Sequence, residues 1–171
     1  MNENTLLFSK TRSVKTPVRA HATDAGIDFF LPDEFTDADL EHSREVTGTY
    51  LMFDHSGKSI MIPPHGSLLI SSGIRMIVPK GHALIFTNKS GVAAKKHLLV
   101  GSCCVDSDYR GETYISLINT SHREVFVSPG EKIVQGIIYE VGSHVPAEVD
   151  NIDKYSAPTE RGAGGFGSTG V

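Results

Sequence analysis

The chain has 171 residues, a formal net charge of −4 and 39% hydrophobic residues, which suits one domain with a modest core. Its pI of about 6.0 argues against general binding to DNA or RNA, because such binding requires a basic face. A polar N-terminus and the lack of a long apolar run predict neither a secretory leader nor a membrane span. We therefore expect a cytoplasmic protein, in the host cytoplasm if the source is viral.

Short apolar runs rich in β-branched residues alternate with turn signals along most of the chain. Helical periodicity is limited to two candidates: 36–45, where Thr36 is a good N-cap followed by acids, and 90–96, with one or two turns. Apolar runs of this length and spacing are typical of an all-β sandwich, barrel or jelly roll. The runs lie at 68–72, 74–78, 83–86, 98–100, 114–118, 125–127 and 133–141.

The stretch 33–62 is more polar than its surroundings, and we interpret it as an insertion. It carries its own hairpin signal, with apolar residues at 50–53 and 58–62 on either side of a turn. The insertion could serve as a lid, as a surface for a protein partner or as decoration without a function, and decoration is favoured. The predicted organisation is one β domain over 1–160 that includes this insertion, followed by a flexible glycine-rich arm over 161–171.

The two cysteines, Cys103 and Cys104, are neighbours in the chain, and adjacent strand residues point to opposite faces. This arrangement disfavours a disulfide between them, and two thiols do not make a zinc site. We expect both to be small buried apolar side chains. The eight histidines are scattered without the spacing of metal ligands.

The end of the chain, 161–171, is rich in glycine and contains Arg161, Phe166, Ser168 and Thr169. Glycine leaves backbone N–H groups free to surround an anion, and an arginine fork and hydroxyl groups are good donors to phosphate. An aromatic ring can cover a flat base. Composition alone favours a disordered tail, whereas the other motifs of the chain favour an arm that closes over a nucleotide.

The densest functional stretch is 101–112, where an apolar run ends at Val105 and is followed by carboxylates and a tyrosine. A hairpin here would present Asp106 and Tyr109 at its mouth. A carboxylate beside a bound phosphate can accept a proton from an attacking water, and a tyrosine ring could lie flat against a sugar. Taken alone, the stretch is more safely interpreted as an ordinary acidic β-turn.

Three weaker motifs accompany this stretch. Residues 88–96 join a strand end to a helical turn, where N–H groups, Lys89 and Ser90 could bind phosphate, although the Walker pattern is absent. The acidic turn 23–28 could hold hydrated Mg²⁺. Gln135 follows another turn and carries an amide that could reach a ligand.

In this order, the five motifs resemble those of the trimeric dUTPase family. The resemblance covers the chain from about residue 17 to its C-terminus, apart from the insertion, and the third and fifth motifs are the most specific. Lys89 stands where the family usually has arginine, and Cys103 where it often has glycine. The motifs lie at 23–28, 89–95, 105–112, 130–135 and 161–170.

The resemblance implies a homotrimeric β jelly-roll enzyme with shared active sites, which hydrolyses dUTP to dUMP and pyrophosphate with Mg²⁺. Such an enzyme keeps uracil out of DNA and supplies dUMP. Asp106 would activate the attacking water, Tyr109 would pack on deoxyribose, and Asp28 would lie near the metal through water. The substrate-binding residues implied by position are Lys89, Ser90, Gly91, Ser102, Val105, Tyr109, Gln135, Arg161, Phe166, Gly167, Ser168 and Thr169.

Two alternatives stay open. A dCTP deaminase would share the fold, but its chemistry needs an acid–base glutamate in a motif of its own, and the sequence shows none. A regulatory protein could use the nucleotide as a switch and contact a protein partner through the insertion, and such binding could coexist with catalysis.

Overall fold

The computed structural model of the chain describes residues 5–142 and 144–164. Strands make up most of its regular structure and the helices are few, which confirms the prediction of a mainly β protein. None of the helices in these ranges is long and apolar enough to cross a membrane. In chain order the elements are β1 (Leu7–Lys10), β2 (Ile27–Phe30), α1 (Asp37–Thr47), β3 (Met52–Phe53), β4 (Ile60–Ile62), β5 (Ser67–Ile77), β6 (His82–Asn88), α2 (Ser90–Lys96), β7 (Leu98–Val100), β8 (Cys104–Asp106), β9 (Glu112–Asn119), β10 (Val125–Val127), β11 (Lys132–Glu140) and a 3₁₀ turn (Ile152–Lys154).

The strands form three antiparallel sheets, with the orders β1-β5-β9-β7, β10-β4-β3 and β2-β11-β6-β8. Successive side chains of a strand point to opposite faces, and β9 shows this alternation from buried Thr113 through Ile115 and Leu117 to buried Asn119. One hydrophobic cluster draws on all three sheets. Its fully buried members include Phe29, Leu31, Ile60, Ile62, Leu68, Ile70, Ile74, Leu84, Leu98, Ile115, Leu117 and Ile133.

Strand β5 runs through a position where the sequence pattern predicts a break. Gly73 lies inside the strand with a φ of 70°, in the left-handed region that favours glycine. The pairing of β5 with β9 shifts register around it, so Gly73 forms a bulge. A Cβ at this position would meet Cγ of Arg12 at 2.9 Å and Cγ1 of Val14 at 3.0 Å. The two predicted apolar runs are therefore one bent strand.

The polar stretch 33–62 contains a well-capped helix and a hairpin. Helix α1 begins after Thr36, whose hydroxyl accepts from the N–H of Asp39 while the Asp39 carboxylate accepts from the N–H of Thr36, a capping box. It ends at Gly48, which has a left-handed conformation. The predicted helix is thus confirmed, with slightly later bounds.

The end of the same stretch lies in the core. Ile60, Met61 and Ile62 of β4 are buried, and the strand pairs with β10 on one side and β3 on the other. Asp54 makes the turn between β3 and β4. Hydrogen bonds from the Ser56 hydroxyl and the Lys58 N–H lower the pKa of Asp54 to about 2.

Candidate active site

Three of the predicted motifs meet at one end of the sheet β2-β11-β6-β8. Gln135 in β11 pairs in register with Asp28 in β2 on one side and with Thr87 in β6 on the other. Helix α2 begins at Ser90, two residues after β6 ends. We call this region the α2 end; it contains the predicted site residues Asp28, Lys89, Ser90, Gly91 and Gln135.

The Asp28 carboxylate lies between two ammonium groups. Its Oδ1 accepts a hydrogen bond from Nζ of Lys89, and its Oδ2 lies 2.9 Å from Nζ of Lys132. Burial alone would raise the pKa of Asp28, which is only 5% exposed, but the hydrogen bonds and charges of the two lysines lower it below its ordinary value. Asp28 is therefore ionised and paired, and it ties β2 to α2 and β11.

The side chain of Gln135 is held in place by its surroundings. Its Nε2 donates to the carbonyl oxygen of Asn88 at 3.0 Å. Gly26 lies against it so closely that a Cβ there would come within 2.9 Å of Cδ of Gln135. Ser90 and Gly91, which follow Asn88 at the start of α2, are exposed. The α2 end thus presents a lysine, a serine hydroxyl and a fixed amide, all of which can donate to phosphate oxygens.

A cavity of about 200 Å³ lies against β8 and the loop on either side of it, and we call it the β8 pocket. Larger hollows occur elsewhere, such as one of about 600 Å³ against β3 and β10, but they contain none of the predicted site residues. The β8 pocket brings four of them together. Its lining is Phe86, Ser102, Cys103, Cys104, Val105, Asp106, Tyr109, Glu112, Thr113 and Tyr114.

The Tyr109 ring stands at the mouth of the β8 pocket in a fixed position. Its hydroxyl donates to the carbonyl oxygen of Glu112 at 2.8 Å, and its N–H donates to the carbonyl oxygen of Asp106 at 3.2 Å. The ring passes over Gly111, where a Cβ would lie 2.5 Å from Cζ of Tyr109. Glycine at 111 is therefore required for this ring position. The predicted hairpin was wrong, because β8 pairs with β6 and β9 pairs with β5 and β7 in another sheet. Asp106 and Tyr109 instead lie on the turn that connects the two sheets.

Both cysteines are exposed, and the expectation that they are buried apolar side chains was wrong. They lie on the wall of the β8 pocket, where Sγ of Cys104 is 3.7 Å from Oδ1 of Asp106. The pKa of the Cys104 thiol is raised, mainly by partial burial and secondly by the charge of Asp106. A free thiol at this place is polar enough to face solvent and donates weakly to the carboxylate.

Two residues of the pocket were missed as site residues from the sequence. Glu112 closes the Asp106 motif, and its backbone fixes Tyr109, whereas its side chain accepts from the hydroxyls of Thr11 and Ser71. Tyr114 follows two residues later on the same face of β9 and lines the pocket. The period-2 pattern of β9 is the signal that could have indicated both.

The α2 end and Asp106 lie at opposite ends of β6, and the β8 pocket extends between them as far as Phe86. Asp106 pairs with Ala83, near the start of the strand, whereas Lys89 and Ser90 follow Asn88 at its end. The five residue steps from Ala83 to Asn88 span about 17 Å at about 3.3 Å per residue. Asp106 is thus well separated from Lys89 and Ser90 within one chain.

The C-terminal motif is described only as far as residue 164. Arg161 donates through Nε to the carbonyl oxygen of Gly164 at 3.0 Å, and Gly162 has a φ of 50° in the turn between them. The guanidinium is exposed. Phe166, Gly167, Ser168 and Thr169 lie outside the described residues.

The donors present do not fit a resident metal ion. Both carboxylate oxygens of Asp28, the predicted metal residue, are engaged by Lys89 and Lys132. Within 5–142 and 144–164, no three His, Cys, Asp or Glu side chains form a group that could hold a metal. Mg²⁺ typically uses one or two carboxylates together with substrate phosphates and water, a way of binding that needs no resident cage of protein ligands.

The chain is thus a mainly β protein with a cluster of lysine, serine and amide groups at one end of a sheet and with Asp106 and Tyr109 at a pocket against its edge strand. A family model described as dUTPase matches residues 53–170. The chain belongs to the dUTPase family.

Relatives of known name agree with this assignment. The mitochondrial deoxyuridine 5'-triphosphate nucleotidohydrolase of Dictyostelium discoideum is 37% identical over 116 residues, which are 68% of this chain and 63% of that protein. The match therefore spans less than two thirds of that relative. The enzyme of the same name from Wolinella succinogenes is 38% identical over 115 residues, 66% of this chain and 74% of that protein.

Solved structures agree on the fold. The dUTPase of Staphylococcus bacteriophage 80alpha, with dUPNHPP, superposes with a TM-score of 0.75 at 22% identity and covers 98% of this chain and 99% of that chain. The dUTPase of phage phi11 of S. aureus, described as showing a species-specific insert, has a TM-score of 0.66 at 19% identity, covering 86% of this chain and 97% of that chain.

Proposed function

We propose that this chain is a dUTP nucleotidohydrolase that releases dUMP and pyrophosphate, works as a homotrimer of jelly-roll subunits and shares each active site between subunits. The product dUMP would serve dTMP synthesis, and removal of dUTP would keep uracil out of DNA. Family membership supports the reaction, and the geometry of the two groups of site residues supports the shared site.

The separation of the α2 end from Asp106 is the observation that carries the proposal. A general base must lie within hydrogen-bond reach of the water it activates, at about 3 Å. Phosphate donors about 17 Å along β6 from Asp106 cannot serve the same α-phosphate from the same chain. A neighbouring subunit of a closed homo-oligomer can supply its own α2 end to this pocket.

In the proposed reaction, Asp106 accepts a proton from water as the water oxygen bonds to the α-phosphorus. The bond from the α-phosphorus to the oxygen bridging it to the β-phosphate breaks, and that oxygen leaves with pyrophosphate. Phosphoryl transfer of this kind depends on positioning and charge stabilisation rather than on covalent catalysis. Asp106 is exposed at the pocket mouth, where such a water has access.

The surrounding residues bind and select the nucleotide. The Tyr109 ring packs on deoxyribose and leaves no room for a 2′-hydroxyl, while Ser102 and Val105 form the base side of the pocket. Ser90, Gly91, Lys89 and Gln135 of a neighbouring subunit contact phosphates. Mg²⁺ is part of the substrate here, bound through the triphosphate and its water shell.

The arm 161–171 completes the donor set in this proposal. Arg161, Ser168 and Thr169 hold the β- and γ-phosphates, the Gly167 N–H adds a donor, and Phe166 stacks over uracil. Closure of a flexible segment over bound substrate excludes water and completes the site only when the correct ligand is present.

The first test is pyrophosphate release with Mg²⁺ from dUTP, dTTP, dCTP and UTP, with ammonia assayed in parallel. Release from dUTP alone is the expected result. Release of ammonia from dCTP would show that the protein is a deaminase instead. If none of the four nucleotides yields pyrophosphate or ammonia, a nucleotide-switched binding protein becomes the favoured function.

The shared site has its own test, which uses two inactive variants. Asp106→Asn and Gln135→Ala chains are co-refolded in equal amounts. If the two groups of residues come from different subunits, random mixing restores about one quarter of wild-type activity. If both come from one chain, every site keeps one lesion and the mixture stays inactive.

A further inference from the structure

Helix α1 of the polar stretch reaches the wall of the β8 pocket. It packs on β5, where the buried Ser43 accepts the N–H of Leu69 at 2.9 Å through its hydroxyl. The ring of His42 lies on the Tyr114 ring, with centroids 5.3 Å apart. Tyr114 also lines the β8 pocket together with Asp106 and Tyr109. One tyrosine is therefore shared by the helix and the pocket.

The helix is fixed to the N-terminal segment by a bidentate ion pair. Nη1 of Arg12 lies 2.6 Å from Oδ1 of Asp39, and Nη2 lies 3.0 Å from Oδ2. The same Nη2 donates to the carbonyl oxygen of Glu34 at 2.7 Å. Asp39 also accepts the N–H of Thr36 in the capping box. Two parallel hydrogen bonds between planar groups fix orientation as well as distance.

The N-terminal segment that binds α1 through Arg12 also binds Glu112, whose backbone oxygen accepts the Tyr109 hydroxyl. Thr11, next to Arg12, donates its hydroxyl to the Glu112 carboxylate, and Ser71 donates to it at 2.6 Å. The backbone oxygen of Glu112 in turn accepts the Tyr109 hydroxyl at 2.8 Å. Burial, and next the charge of Glu112, raise the pKa of Tyr114, as expected for a ring enclosed between the helix and this carboxylate.

We propose that helix α1, through His42 and the Arg12–Asp39 pair, is a positioning element of the nucleotide site that keeps Glu112 and Tyr114 in place and thereby fixes the Tyr109 ring. The effect on substrates rests on the proposed contact of Tyr109 with deoxyribose. A ring that excludes a 2′-hydroxyl by occupying its space must not shift, because a shift of about 1 Å changes such discrimination strongly. The insertion is then a working part of the site and not decoration.

The test compares His42→Ala with Glu41→Ala, a neighbour on the same helix whose only described ion-pair partner is Arg44 at 3.9 Å on the exposed side. Alanine is a better helix former than either residue, so α1 itself is not weakened. The readouts are the ratio of kcat/KM for dUTP over UTP, and amide hydrogen exchange of residues 104–112 without nucleotide.

His42→Ala is expected to lower the dUTP/UTP ratio about 2- to 10-fold, the range set by the loss of one aromatic contact, and to speed exchange in 104–112. Arg12→Gln should do the same, Arg12→Lys should fall between Arg12→Gln and wild type, and Glu41→Ala should match wild type. Unchanged exchange in both His42→Ala and Arg12→Gln would overturn the proposal. Faster hydrogen exchange in 104–112 with an unchanged dUTP/UTP ratio would support the coupling of α1 to this segment. It would refute the proposed role of Tyr109 in sugar selection.

Discussion

The ammonium group of Lys132 lies 2.9 Å from Oδ2 of Asp28, on the far side of the carboxylate from Lys89. Asp28 thus bridges the start of α2 and the start of β11. Lysine supplies a point charge where arginine would offer a planar fork. In this protein the two oxygens of the Asp28 carboxylate are engaged by two separate lysines.

Asp28→Asn should destabilise the fold by about 3 kcal/mol at pH 7, because it leaves two ammonium groups around a buried neutral amide. The folded pKa of Asp28 is lowered, so its contribution is present above its unfolded pKa and disappears as the pH falls through the folded value. Urea unfolding of wild type and variant at pH 7 and pH 3 measures the loss in the free energy of unfolding and its dependence on pH. The gap between wild type and variant should shrink at pH 3, whereas Asp150→Asn, at an exposed position, should leave stability unchanged at pH 7.

Asp106→Asn should bind dUTP with nearly wild-type affinity and lose about 10²- to 10⁴-fold in kcat, the usual effect of removing a general base. Asparagine keeps the size of the side chain and cannot accept the proton of water. Calorimetric titration with a non-hydrolysable dUTP analogue and pyrophosphate release measure the two quantities. Turnover near the wild-type rate would show that another group is the base.

Gly111→Ala should displace the Tyr109 ring, because the added Cβ would lie 2.5 Å from Cζ and 3.0 Å from Cε2 of that ring. We expect a loss of about tenfold or more in kcat/KM for dUTP, with the thermal midpoint little changed. The control is a double-mutant cycle. In a Tyr109→Ala background, Gly111→Ala should have no further effect, and a full additional loss would mean that it acts elsewhere.

Removal of residues 161–171 should leave folding and assembly intact and lower kcat strongly. The segment begins with an exposed arginine whose side chain, among the described residues, donates only to Gly164 in its own turn, and we expect the β domain to fold without it. Thermal unfolding, sedimentation and steady-state kinetics check the three statements. Unchanged kinetics would remove the arm from the mechanism.

The sequence predicted the strands best where apolar runs were bounded by turn residues, as in 83–86, 98–100 and 125–127, which all fall in or on strands. It failed at Gly73, because a glycine that ends a strand and one that forms a bulge look alike in one sequence. It also failed at Cys103 and Cys104, because a free thiol suits a core as well as a pocket wall.

The sequence motifs supply a list of candidate site residues but not their arrangement in space. Asp106 is exposed and Tyr109 and Gln135 are at least partly exposed, and their roles stay predictions. The distance between Asp106 and Ser90 depends on which strands flank β6 and in what register, and pairing partners far apart in the chain cannot be derived from local patterns. The contact between the His42 and Tyr114 rings could not be predicted either, because it also joins elements far apart in the chain.

The chain contains two cysteines in all, and both lie exposed on the wall of the β8 pocket. Both thiols of this protein therefore lie where the nucleotide base is expected to enter. A bound nucleotide would thus cover both thiols. Its protection of them from reaction with a maleimide would measure occupancy of the pocket directly, with no engineered residue.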